Sequence, residues 1–209
     1  MRSENEPDGQ PRSFIEEARR RQIIAAAVEV ISEFGYGNAS LARIAKHAGI
    51  SKGVISYHFD GKDDLMTQLV IQLYVSGAEY MTPIIGAAPG WRGKVLAYIE
   101  SNLEFIAANK RYVAAMTDVV LNLRDAEGKS RFVNVESARE ILRPIADMLR
   151  EGQREGEFGD FDPILMAKSI RDAIDGTGGR VINEPDFDAR AYAAHVCRIF
   201  DLATGKPGE

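Results

Sequence analysis

"IAKHAGISKGVISYHFDGKDDL", residues 44–65, decides how this chain is read. Ile44, Ala45 and Ala48 recur at helical spacing and stop at Gly49, and a second short run leads from Ser51 to Phe59. Two helices that meet near a right angle through a three- or four-residue turn make a helix-turn-helix, whose requirements are steric. A small residue has to sit where the helices cross, and Ala45 supplies it. A residue tolerant of positive φ has to make the turn, and Gly49 supplies that. Ile44, Ala48, Ile50 and Ile55 are then expected to pack inward against Val28, Ile31 and Phe34 of a preceding helix.

With those residues inward, the second helix of the pair has to present Lys52, Gly53, Val54, Ser56, Tyr57 and His58 outward. Taken singly, each has an ordinary explanation: a solvated lysine, a half-buried aromatic, a satisfied histidine. Together on one face they suit a DNA major groove. Lys52 can donate to guanine O6 and N7, Val54 can touch a thymine methyl, and Ser56 can hydrogen-bond either way. Gly53 allows close backbone approach, and Tyr57, His58 and Lys62 suit phosphate oxygens. On the preceding helix, Ser40 and the helix N-terminus can meet a phosphate, with Arg43 on the same side.

The net charge of −5 speaks against a nucleic-acid binder until its placement is considered. Between Ser40 and Lys62 the bases Arg43, Lys46, Lys52 and Lys62 face a single acid, Asp60, so a small basic head sits on an acidic body. The lone cysteine, Cys197, cannot staple the fold and points to a reducing compartment. No window is apolar enough for a signal-peptide core or a membrane span, so the expectation is a cytoplasmic protein with no membrane partner.

Outward from the motif, the periodicity is helical throughout, with no convincing period-2 strand, and predicts an all-α fold of about nine helices. Residues 1–12 read as a mobile arm. Residues 13–61 read as a three-helix head whose first helix starts from a Ser13 cap, with Asn38 or Ser40 capping the second and Ser51 the third. Residues 62–209 read as a helical body. Its breaks are "APGWRG" at 88–93, "ANKR" at 108–111 and "RDAEGK" at 124–129. Asp162–Pro163 opens an eighth helix, and a ninth follows Pro185. The seventh, from about Ser130 to Arg154, contains Pro144 and is expected to kink there.

At "GYGNASLARIAKHAGISKGVISYHFDGKDDL", residues 35–65, and the helix before it, the sequence resembles the TetR (tetracycline-repressor-like) family of bacterial transcriptional regulators. The resemblance rests on the Ile44-Ala45 pair, Ala48-Gly49-Ile50-Ser51, Gly53, an aromatic followed by His58-Phe59, then Lys62 and Leu65. It implies a DNA-binding head, a ligand-binding body and a homodimer formed by the last two helices. It also implies a repressor that binds a palindromic operator and is released by a small-molecule inducer. Ala39 stands where the family often has Thr, Val54 where Thr or Ala is usual, and Ser56 where an aromatic is frequent. Val54 and Ser56 lie on the reading face, so an operator sequence does not transfer from a relative.

Within the body, Tyr98, Phe105, Met116, Val120 and Met148 recur at inward positions and are the candidate lining of an effector pocket. Asp118, Asp172 and Asp175 lie in or beside apolar helices; one of them could meet a cationic ligand, although a surface role or pairing with Arg171 is the plainer expectation. The ninth helix is apolar on more than one side, and Ala193, Val196, Cys197 and Phe200 are the expected dimer contacts. No cofactor or metal site is expected. His47, His58 and His195 are scattered, no nucleophile elbow or Walker loop occurs, and "DGTGG" at 175–179 follows no strand, so an enzyme is not expected. The alternative function is a helical interaction protein whose helix-turn-helix is not used on DNA.

Overall fold

The computed structural model describes residues 14–132 and 135–206, and side chains throughout these except at 135–138. The expected arm at 1–12 and the Ser13 cap lie outside the described residues. Among those described there are nine α-helices: α1 Phe14–Phe34, α2 Leu41–Ala48, α3 Lys52–His58, α4 Gly61–Ala87, α5 Gly90–Ala108, α6 Lys110–Asn122, α7 Val135–Arg154, α8 Pro163–Asn183 and α9 Ala189–Thr204. A 3-10 turn, Tyr36–Asn38, joins α1 to α2. The only extended pairing among the described residues is one antiparallel bridge, Arg124 with Ser130, between α6 and α7.

Caps set most of the boundaries. Ser40, rather than Asn38, caps α2 by accepting the Arg43 N–H, and Ser51 caps α3 by accepting that of Val54. Asp162 and Asp188 cap α8 and α9 in the same way. One expected break differs. The helix α5 already begins at Gly90, so Trp91, Arg92 and Gly93 are helical and only Ala88 and Pro89 separate it from α4. The reason lies far along the chain: the Glu157 carboxylate accepts the N–H groups of both Trp91 and Arg92 at 3.0 Å, satisfying donors that a helix start leaves open. As expected, Pro144 lies inside α7.

Two apolar cores meet at α6. The first contains Ile23, Ala27 and Ile31 of α1, Ile44, Ile55 and Phe59, then Leu65, Leu69 and Val70 of α4 and Ala115, Val119 and Leu123 of α6. The second holds Leu73 of α4, Val95, Ile99 and Leu103 of α5, Val113 of α6, and inward residues of α7, α8 and α9. Packing therefore crosses the expected division at residues 61/62: α4 carries head core along its first turns and body core beyond. Phe34 does not join the head core as expected. It is 41% exposed and lies beneath the Arg43 guanidinium, 4.4 Å from its ring centre, because Gly35 turns the chain away immediately after it.

Among the described residues no helix is long and apolar enough to cross a membrane.

Candidate nucleic-acid interface

The turn of the motif is steric. Gly49 adopts φ +67°, a left-handed conformation that favours glycine, and its N–H closes α2 onto Ala45 and Lys46 carbonyls. Ala45 is buried, as a helix crossing requires, and Ile44 and Ile55 are fully buried. Ala39, which replaces a residue that could offer a hydroxyl, is itself fully buried.

These inward contacts orient the rest of α3. Lys52, Gly53, Ser56 and Tyr57 are exposed, and Val54 and His58 are half-buried beside them. Tyr57 is 74% exposed, with its ring edge-on to His58 at 4.9 Å and its hydroxyl donating to Glu16 at 3.3 Å. The C-terminal end of α3 is fixed from α1, where buried Arg20 donates to the His58 carbonyl and lies 4.3 Å from the Phe59 ring centre. Ser40 and Arg43 are exposed on α2, with the Ser40 hydroxyl committed to its cap.

Lys62 differs from the others. It turns back onto the α1–α2 connection, donating to the Tyr36 carbonyl at 2.7 Å with its ammonium 4.1 Å from the Tyr36 ring centre. Burial lowers its pKa, opposed by Asp63 and Asp118. Its ammonium is thus already engaged with the α1–α2 connection. On the other side of that turn, the Asp118 carboxylate of α6 accepts the Tyr36 N–H at 2.7 Å. Sequence reasoning placed Asp118 as a possible ligand partner and missed this contact, which joins residues far apart in the chain.

An exposed basic and hydroxyl-bearing α3, fixed by a left-handed glycine and buried isoleucines, is the geometry of a helix-turn-helix reading head, and comparison with known proteins agrees. Residues 23–69 match the model for bacterial regulatory proteins of the tetR family. Over these residues the chain is similar to the DNA-binding head of the TetR family. It is 28% identical over 170 residues to the HTH-type transcriptional regulator BetI of Cronobacter sakazakii, covering 79% of this chain and 80% of that one. To BetI 1 of Chromohalobacter salexigens it is 44% identical over 160 residues, covering 77% of this chain but only 51% of that relative's length. Among solved structures, FadR of Bacillus subtilis, in complex with stearoyl-CoA, superposes with a TM-score of 0.73 at 27% identity over 86% of this chain and 96% of that one.

The helical body carries its expected pocket residues in two places. Tyr98 is buried, and Phe105 and Met148 pack on the body core. Met116 touches both cores, while Val120 packs on the head-side core, because successive turns of α6 face different neighbours. Val120 is therefore not part of one lining with Tyr98 and Phe105. Tyr112 spans the two cores as well, its hydroxyl donating to the Leu69 carbonyl at 3.2 Å, and burial raises its pKa.

The expected dimer residues need a larger correction. Ala193, Val196 and Phe200 are 2%, 2% and 8% exposed within this single chain, facing its own body core. Cys197 is half-buried and donates to the Leu96 carbonyl of α5 at 3.7 Å, and burial pushes its thiol up to about 11. Of the apolar faces of α9, α5 has taken this one. The face left outward bears Ala194, Ile199 and Leu202, the last two 46% and 73% exposed.

Proposed function

We propose that this regulator binds a palindromic DNA operator as a homodimer, acts as a repressor, and is released when a small-molecule effector occupies the helical body. The observation that carries the proposal is the outward face of α3: Lys52, Gly53, Ser56 and Tyr57 are open to a groove while Ile55 and Phe59 anchor the same helix. Lys52 and Ser56 read base edges with Val54 beside them. Ser40, Arg43, Tyr57 and His58 position the head on phosphates.

The dimer is supported by the exposed side of α8 and α9. On α9, Ile199 and Leu202 are open; on α8, Leu165 is 66% exposed, and Gly176 and Gly179 further along are bare of side chain. Helices with such faces gain from packing against their copies, and a two-fold pair places two heads on successive half-sites. An effector that favours a spread arrangement of the heads over the DNA-competent one then lowers operator affinity, about tenfold for each 1.4 kcal/mol of differential binding.

Selection of bound duplexes from a random pool, followed by titration of the winner across a salt series, tests the proposal. A palindromic site whose affinity falls steeply with salt is expected, since phosphate contacts release counterions. No enrichment at low salt from folded dimer would overturn it and favour a helical interaction protein.

A further inference from the structure

A cleft of about 620 Å³ opens at the seam between the head and the helical body, within the range of roughly 300–1,000 Å³ that small-molecule sites occupy. Helix α1 contributes Ile24, Ala25 and Val28 to it, α4 contributes Gln72 and Ser76, and the junction of α5 and α6 contributes Ala107, Ala108 and Lys110. The room exists because Ala25, Ser76, Ala107 and Ala108 are small. Gln72 and Ser76 are hydrogen-bonded to each other at 3.3 Å, and the α1 side of the cleft is an apolar stripe.

The cleft has a cation at each end. Along α1 its lining runs from Arg21 to Glu29, eight residues or about 12 Å at the helical rise. At the Glu29 end, Arg111 pairs with Glu29 at 2.8 Å and its carbonyl accepts from Ser32 at 3.3 Å, which places its neighbour Lys110 there. Arg21 stands at the other end. Both Arg21 and Lys110 are exposed, and among the described residues neither has an ion-pair or hydrogen-bond partner. Glu29, the carboxylate in this lining, is already engaged by Arg111. Two unanswered positive charges with an apolar stripe between them stand out on a chain whose net charge is −5.

We propose that this seam is a small-molecule site separate from the interior of the helical body, and that it takes an elongated organic dianion. One anionic end rests on Arg21, the other on Lys110, and the apolar middle lies along Ile24, Ala25 and Val28. A cation is repelled from both ends. A compact anion reaches one end only, and a single exposed ion pair contributes little. A dianion of matching length adds the second pair and the burial of its apolar middle. Because α1 belongs to the head and Lys110 begins α6 of the body, the occupant fastens one to the other. This site requires neither DNA nor an effector in the body, so its failure would leave the regulator reading untouched.

Calorimetric titration of the full chain, without DNA, with decanedioate, butanedioate and 1,10-diaminodecane measures affinity, and amide exchange of the same samples locates the bound probe. Decanedioate is expected to bind and to slow exchange in residues 21–29 and 107–112. Butanedioate, too short to span the cleft, and the diamine, of the wrong sign, should each bind at least tenfold more weakly. Arg21→Gln and Lys110→Gln should each weaken decanedioate threefold or more, and the double variant tenfold or more. The melting temperature should stay put, since both side chains are exposed and make no contact the fold needs. No binding by decanedioate, equal binding by butanedioate or the diamine, or undiminished binding by the double variant would overturn the site. Protection that appears in α7 and α8 in place of residues 21–29 and 107–112 would overturn it too.

Discussion

Lys52 and Ile55 are three positions apart on α3 and serve opposite ends of its job. Ile55 is fully buried, and Ile55→Ala removes packed methyl groups at an expected cost of about 2–5 kcal/mol in unfolding free energy. Lys52 is exposed and makes no contact that the head needs to fold. Lys52→Ala should therefore weaken operator binding by about 1–3 kcal/mol while the melting temperature stays put, as fluorescence anisotropy and thermal denaturation would read. Equal operator affinity for Lys52→Ala would remove α3 as the reading helix. At this scale the sequence was legible wherever a residue's role follows from its near neighbours: Gly49 at the turn, Ala45 at the crossing, Ser40 and Ser51 at the caps. Lys62 was not, because its carbonyl partner belongs to the Tyr36 turn and its burial depends on how α4 closes over that turn.

The helix α5 shows how an element boundary is set from a distance. Its first N–H groups are satisfied by Glu157, which follows α7, and Gly90 at φ +60° is needed there, since a Cβ would approach the Glu157 carboxylate to 2.7 Å. The same helix is tied to α9 by Arg92, which donates to both oxygens of Asp201 at 2.5 and 2.7 Å. Backbone hydrogen bonds from Trp91 and Arg92 lower the pKa of Glu157, and the Arg92 hydrogen bond lowers that of Asp201. A carboxylate whose folded pKa is depressed adds stability that is complete above its ordinary pKa and is lost as pH falls through the depressed folded value. Glu157→Gln should accordingly melt below the parent protein at neutral pH, and the gap should close on acidification through that range. A gap that persists after both carboxylates are protonated would show that charge is not what the cap contributes. Periodicity alone placed a break across 88–93, because nothing local signals a cap supplied by residue 157.

At the scale of the molecule, α6 belongs to both cores, and Asp118 ties it to the Tyr36 turn of the head. Any shift of α6 caused in the body is thus offered directly to the connection between α1 and α2. Asp118→Ala leaves the Tyr36 N–H without this acceptor, and faster amide exchange is expected around residues 35–41 with no change in α8 and α9, measured by hydrogen–deuterium exchange. Unchanged exchange at 35–41 would mean that the link does not hold the head to the body. The sequence by itself determined the helical class, the helix-turn-helix and most helix starts, because these depend on spacing, caps and one left-handed glycine, all local. Only the tertiary structure decided which face of α9 is inward, which residues of α6 serve which core, and that the Arg171 guanidinium is buried against Asp175, Asn102 and Tyr98. A helix with two apolar faces carries no local preference between them, and a buried charge is recognisable only once the neighbours that seal it are in place.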